Sequence, residues 1–400
     1  MKGEKCETLI DDIKSGSVPK VQTPVRMLNA LYSLPLRYRT FGGNYQYCSN
    51  LTYQALEIAF GGHYLVTQLA QCAIIKQILY NDGSRNTFYC DKNIFDFFNS
   101  HGLFNLGFWD DVDYETIENN ITPQNTDARI YYSACKPDAI LSEARKAAEV
   151  GEPVLFIDSD LILKRRHDCI LPNADKIKAA YGHIEALSDD YYPDFEGLHF
   201  PQGYKLPDSL NTTLPAVNTC LMFFNDFRLL EEWCGFFKEL FINNFIDGSI
   251  NSTTISQQLL GIDQRTFPMI ADKHGCWDTK DVVPFLNIIW NPPGFYFPDG
   301  TPAEWHYYTL EQKPEQKNWL QDITHIWISK KDIERDTHYR NYQSCLMLEL
   351  ILALMPQAET ALRSFNSLKP YFDLLLEYGD VDTMLNKGIV SEHLTKNLLL

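Results

Sequence analysis

Apolar residues in this chain gather into short continuous runs separated by stretches of helical period. The run at 154–163 (VLFIDSDLIL) is apolar except at Asp158, Ser159 and Asp160. It reads as a strand buried on both faces in the middle of a parallel sheet. Upstream, 55–61 (ALEIAFG) reads as a first strand, and its Gly61-Gly62 turn leads into a long helix over about 63–80. Asn81-Asp82-Gly83 stops that helix, and 86–90 (NTFYC) reads as a second strand closed by Asp91. Strand, glycine turn, helix and strand make the opening of a nucleotide-binding α/β layer. A helix near 94–100, an acidic loop at 110–118 and a short strand at 128–132 (ARIYY) follow. Pro137 then opens a helix carrying Glu143, Arg145 and Lys146, and Gly151-Glu152-Pro153 ends it.

Beyond the Asp-bearing run the period is lost. Residues 164–214, rich in Tyr, Pro, Asp and His, read as a long irregular excursion, and loops of that length tend to be functional. The pattern returns at 216–225 (AVNTCLMFFN), a strand with Asn218 at its start and Asn225 at its end. Residues 228–245 are an amphipathic helix, and 253–273 form a second helical unit carrying Asp263-Gln264-Arg265 and capped by Gly275. Residues 281–289 read as strand or extended core, 290–300 (WNPPGFYFPDG) as an aromatic Pro/Gly loop, and 324–328 (THIWI) as a last strand with His325 on it. The pattern from about 341 is helical, whereas 1–50 hold no sustained period. The expected organisation is an irregular N-terminal extension over 1–50, an α/β domain over 51–335 and a helical C-terminal region over 336–400.

Composition narrows the function. With 45% hydrophobic residues among 400, the chain can bury a substantial core in one large or two moderate domains. A net charge of −17 argues against nucleic acid or an anionic membrane as the main partner, since both reward clustered Lys and Arg. The 13% aromatic content suits a carbohydrate-facing groove, although most of it must be core. Residues 1–20 are polar and charged and lack the apolar centre of a signal peptide. No run approaches the roughly 18–20 apolar residues of a membrane span; 346–355 is too short and contains Glu349. The ten cysteines are scattered without a Cys-x-x-Cys pair. Reduced, buried thiols in a cytoplasmic protein without a zinc site are therefore expected.

The acidic pair adds chemistry to this outline. Burying an unpaired carboxylate costs several kcal/mol or more, so something cationic should meet Asp158 and Asp160. Side chains alternate along a strand, so the two point the same way and can converge on one metal ion. Four features then occur in order: Asp158-Ser159-Asp160, Asn218 to Asn225, Asp263-Gln264-Arg265, and His325 six positions before Lys331. In this order they resemble the GT-A glycosyltransferases, most closely the retaining family 8 type, over roughly residues 55–335. NTCLMFFN is similar to that family's Asn-Ala-Gly-apolar-Asn segment, DQRTFP to its Asp-Gln-Asp-x-Leu-Asn helix start, and HIWISKK to its His-x-x-Gly-x-x-Lys segment. Ile328 stands where the family has Gly, Asp332-Ile333 where it has Pro-Trp, Thr219-Cys220 where it has Ala-Gly, and Arg265 where it has a second Asp, as in a distant branch.

The resemblance implies an α/β fold of GT-A type: a Rossmann-like nucleotide-diphospho-sugar transferase core with a helical C-terminal extension. It implies transfer of a sugar from a nucleotide-diphosphate donor, with UDP-sugar as the expected donor, to a hydroxyl acceptor with retention of configuration. Mn²⁺ or Mg²⁺ held by Asp158, Asp160 and His325 would neutralise the departing diphosphate as a Lewis acid, and Lys331 would add a point charge. Asp158 also counts as a donor-binding residue, together with Phe60, Gly61, Asn218 and Lys136. Asp263 and Gln264 would face the donor sugar, with Gln264 the candidate group near the reacting carbon. The loops at 188–210 and 290–300 are candidates for the acceptor side.

Each position also has a plainer reading. His325 alone reads as a core histidine, and its place beside Lys330 and Lys331 is what makes it a ligand. Asn218 reads equally well as a strand-end turn residue, Asp263 and Gln264 as helix surface, and Lys136 and Arg145 as solvated charges. Two other function classes remain open. One is a catalytically silent GT-A module that binds sugar or protein. The other is a phosphohydrolase with Asp158 as nucleophile and Asp160 as acid/base, although such enzymes follow the motif with Gly-Thr and this chain has Leu161-Ile162.

Overall fold

The computed structural model describes residues 3–17, 24–33, 38–41, 44–47, 51–120, 135–159, 161–171, 173–185, 195, 197–206, 208–244, 262–285, 289–290, 323–325 and 337–392. Helix α1 (Glu4–Gly16) turns Cys6, Ile10 and Ile13 inward and precedes strand β1 (Arg26–Leu31). A hairpin of β2 (Tyr38–Phe41) and β3 (Asn44–Tyr47) leads to α2 (Tyr53–Phe60) and α3 (His63–Ile74), which a π-helical turn, Ile75–Leu79, extends. Next come β4 (Arg85–Cys90), α4 (Lys92–Ser100), β5 (Asp111–Asp113) and α5 (Lys136–Val150). The strands β6 (Val154–Ile157), β7 (Leu161–Leu163), β8 (Ala179–Tyr181), β9 (Ile184–Glu185), β10 (Ala216–Val217) and β11 (Leu221–Phe224) follow. Helices α6 (Phe227–Asn244) and α7 (Ile262–Lys273) precede β12 (Val282–Pro284), β13 (Ile289–Trp290) and β14 (Ile323–His325). The chain closes with α8 (Thr337–Leu354), α9 (Lys369–Tyr378) and α10 (Val381–Asn386).

Among the described residues seven strands form one mixed sheet in the order β12-β8-β11-β6-β1-β4-β5, parallel throughout except for β11, which runs against both β6 and β8. The chain moves from β1 outward to β4 and β5, then crosses back to β6 on the other side of β1. That reversal opens a crevice at the carboxyl ends of β1 and β6, where open α/β sheets bind ligands. Alternate residues of both strands feed different cores. Met27, Leu31, Leu155 and Ile157 pack with α1, α3 and the C-terminal helices, while Leu28, Ala30, Val154 and Phe156 pack with α5, α6 and α7. The α/β expectation and the doubly buried strand at 154–157 both hold.

Several boundaries differ from expectation. The first strand is β1, inside the supposed N-terminal extension, so part of 1–50 lies at the centre of the sheet. Its polar Asn29 is fully buried because Gln71 and Trp109 satisfy its amide. Residues 55–60 are helical: the Thr52 hydroxyl accepts the Ala55 N–H at 3.2 Å, and only Leu56 of α2 is buried. The Gly61-Gly62 pair is therefore a corner between helices. Gly62 takes φ 60°, and a Cβ on Gly61 would strike the Glu57 carbonyl and Ser367. The run at 154–163 is two strands in two sheets, and 216–225 likewise breaks between β10 and β11. The excursion after 163 contributes β8 to the main sheet, and the acidic loop contributes β5. The expected elements at 128–132, 253–261, 291–300 and 326–328 lie outside the described residues.

The C-terminal helices share the core of α3 and α1. Among the described residues no single helix is long and apolar enough to cross a membrane. The nine described cysteines are thiols, buried except for Cys169. In α8 the Glu349 carboxylate accepts the N–H groups of Val381 (2.7 Å) and Gly3 (3.3 Å), docking α1 against α10. Burial pushes this carboxyl up to about 7; the two N–H groups oppose the shift, and Asp380 and Asp382 add to it. Between the ordinary glutamate value and about 7, the folded chain keeps a proton that the unfolded chain has released. Stability should thus fall as pH rises through that window, by roughly 3 kcal/mol from this group. Unfolding at pH 5 and pH 8 should show the loss, and Glu349→Gln should shrink it; an unchanged pH dependence in the variant rejects the assignment.

Candidate active site

Strand β6 delivers Asp158 to the crevice at the sheet's reversal point. Its N–H donates to the Cys220 carbonyl at 2.7 Å, and its own carbonyl accepts the Leu161 N–H at 3.3 Å, closing a tight turn after Asp158. Two α3 residues seven apart, hence on one face of the helix, hold this turn. Gln71 donates its amide to the carbonyls of Asp158 (2.9 Å) and Leu161, and Tyr64 meets the Ser159 hydroxyl at 2.5 Å. Past Ile157, where the strand ends, the Gln71 amide thus takes up two of the backbone carbonyls.

Asp158 lies one residue beyond β6, which ends at Ile157, so strand alternation does not by itself orient its side chain. Asp160 and Lys331 lie outside the described residues, as does the side chain of His325. The backbone of His325 is described: β14 pairs antiparallel with β7, and His325 lies opposite Leu161, the residue after Asp160. Among the described residues no group of three His, Cys, Asp or Glu side chains is placed to hold a metal ion.

Behind Asp158 lies a buried ion pair. Lys136, the first residue of α5, donates from Nζ to Asp263 Oδ2 at 3.0 Å and to the Thr219 carbonyl and hydroxyl, both at 3.1 Å. Its ammonium also stands 4.6 Å from the centre of the Phe156 ring. Burial works against this charge, but Asp263 and, beyond it, Asp158 outweigh burial and hold the ammonium above its ordinary value. Burial raises Asp263, yet Lys136, the Thr219 hydroxyl (2.7 Å) and the Gln264 N–H bring its carboxyl below the usual range. Lys136 is thus no solvated charge, and Asp263 is no surface residue. Gln264, next to it on α7, is half-buried.

Other expected residues take different neighbours. Asn218 sits in the turn between β10 and β11, where its amide donates to Glu185 at 2.7 Å and its Oδ1 accepts the Cys220 N–H at 3.0 Å. Arg265 binds the carbonyls of Leu214 and Thr212 and faces the Phe195 ring, fastening the excursion after β9. Phe60 and Gly61 stand at the α2–α3 corner and not at a strand end. Asp91 caps α4 and holds Ser33, just past β1.

Sequence reading missed Tyr32, Tyr64, Gln71 and Thr219. Tyr32 follows β1 at the crevice; burial pushes its hydroxyl well up, with Cys135 and Asp158 adding to the shift, and no described group bonds it. Only Tyr64 and Gln71 left a trace, the seven-residue spacing of two polar groups in an apolar helix.

No protein-family model matches the chain, and no curated protein matches it. Among solved structures it is similar to the apo form of mouse xyloside xylosyltransferase 1, at 11% identity and a TM-score of 0.32 over 65% of this chain and 84% of that one. It is also similar to the apo structure of the bifunctional glycosyltransferase WbbM, at 12% identity and a TM-score of 0.28 over 67% of this chain, which spans 39% of that protein.

Proposed function

We propose that this chain is a GT-A-type, metal-dependent glycosyltransferase that takes a nucleotide-diphosphate sugar, with UDP-sugar as the donor, and transfers the sugar to a hydroxyl acceptor with retention. The observation that carries this reading is the register of β14 on β7. It sets residue 325 opposite Leu161, three positions after Asp158, from more than 150 positions away in sequence. Such a pairing is what a three-residue cation site built from Asp158, Asp160 and His325 needs. In that role Mn²⁺ or Mg²⁺ would supply Lewis-acid neutralisation of the diphosphate.

The chain's own groups have separate tasks in this reading. Gln71 and Tyr64 orient the Asp158 turn from a rigid helix. Lys136, with Asp263 and Thr219, fixes the start of α7 so that Gln264 keeps a set position beside the donor sugar. Lys331 adds positive charge on the diphosphate.

Titration calorimetry tests the reading. UDP should bind in the presence of Mn²⁺, and EDTA should abolish the heat. If neither UDP nor any other nucleoside diphosphate binds with Mn²⁺ or Mg²⁺, the donor site as drawn is wrong. A phosphoryl group trapped on Asp158 would move the assignment to a phosphohydrolase.

A further inference from the structure

A line of buried hydrogen bonds leads from Trp109, just ahead of β5, to the turn that starts at Asp158. The Trp109 indole N–H donates to Asn29 Oδ1 on β1 at 3.1 Å. Asn29 Nδ2 donates to Gln71 Oε1 on α3 at 3.2 Å and to the Cys72 sulfur at 3.3 Å. Gln71 Nε2 in turn donates to the carbonyls of Asp158, at 2.9 Å, and Leu161. Asn29 and Gln71 are fully buried and Trp109 nearly so, which keeps water from competing for these groups.

The polarity of this line is fixed at both ends. An indole nitrogen only donates and a peptide carbonyl only accepts, whereas a side-chain amide accepts at its oxygen and donates at its nitrogen. With Trp109 beside it, Asn29 must turn its oxygen to the ring and its nitrogen to Gln71. Gln71 must then offer its oxygen to Asn29 and its nitrogen to the turn, and the two carbonyls demand the same orientation from the other side. Flipping either amide would set like groups against each other in a dry interior, where unmet polar groups are costly. The indole itself is held by aromatic packing: its ring stacks on Phe88 of β4 at 4.6 Å between centroids and on Phe98 of α4 at 6.3 Å. Packing at Trp109 thus sets the direction in which Gln71 points.

Resting on the glycosyl-transfer reading above, we propose that Trp109 and Asn29 are positioning residues of the cation site and act on it through Gln71. The indole orients two amides in series, and the second amide holds the backbone from which Asp158 serves the cation and the diphosphate.

Trp109→Phe keeps a stacked ring and removes the N–H. In the ligand-free protein, amide hydrogen exchange at Asp158 and Leu161, whose N–H groups bond at the turn, should quicken about tenfold, the scale of one net hydrogen bond, while exchange in β8 stays as in wild type. By calorimetry the UDP–Mn²⁺ affinity should fall by a similar factor. Asn29→Leu breaks the line at its second member and carries the same expectations, so the test does not hang on one variant. Adding Trp109→Phe to Asn29→Leu or to Gln71→Met should change neither reading further, because the line is already cut; a general loss of packing would persist in those backgrounds. The proposal is overturned if both single variants keep wild-type exchange at the turn, if they keep the affinity of a wild type that binds UDP–Mn²⁺, or if the Trp109→Phe effect persists in the cut backgrounds. A wild type that binds no nucleoside diphosphate rejects the donor reading instead, and the exchange rates still decide whether Trp109 acts on the turn through Gln71.

Discussion

Lys136→Met should destabilise the protein by about 3–5 kcal/mol, the usual cost of leaving one charge of a buried pair without its partner. The two side chains are 6% and 8% exposed, so solvent screens the pair little. Asp263 would keep the Thr219 hydroxyl and the Gln264 N–H but lose its counter-charge, the Lys136 ammonium at 3.0 Å. The double variant Lys136→Met/Asp263→Leu should recover most of the loss, because it removes both charges and fills the space with apolar atoms. The pair also has a pH signature. Asp263 is held below its ordinary value, so the contribution is complete above the unfolded-state value of about 4 and fades as pH falls through the folded-state value. Urea unfolding of the four proteins of the cycle measures the coupling; a loss under about 1 kcal/mol for the single variant contradicts a buried pair.

Asp158→Asn should lower metal-dependent UDP binding and sugar transfer on the order of 100-fold or more, equivalent to roughly 3 kcal/mol, and cost little stability beyond the lost attraction to the Lys136 ammonium. Asparagine has almost the same shape, and the contacts that build the turn use the Asp158 backbone: its N–H to Cys220 and its carbonyl from Gln71. The substitution therefore separates charge from architecture. Calorimetry with UDP and Mn²⁺ beside a thermal melt gives both readings at once. A variant that binds UDP–Mn²⁺ like wild type removes Asp158 from the proposed cation site.

Much of the chain was legible where the signal is local. Helix α5 follows from Pro137 near its start and Gly151, at φ 70°, after its end, and α6 from its amphipathic period, while the Asp91 read as closing a strand also caps α4. Strand β4 and the doubly buried β6 follow from continuous apolar runs. Strand β1 was not legible, because Arg26 and Asn29 break its apolar pattern and the partners that satisfy Asn29 lie 42 and 80 positions away. Residues 55–60 carry an apolar run too short for period to distinguish helix from strand, and the Thr52 cap decided it.

The candidate site divides along the same line. By itself the sequence determined that an apolar run carries two carboxylates near its end, and that Asn218, Asp263-Gln264 and His325 follow in a recognisable order. Only the tertiary structure decided where the run breaks, and the side chain that takes up the backbone carbonyls on either side of the break, Gln71, belongs to another element. It alone joined Lys136 to Asp263 across 127 positions and set residue 325 opposite Leu161. Periodicity and capping act over a few neighbouring residues, whereas a buried ion pair or a strand register depends on groups that meet only after the chain has folded.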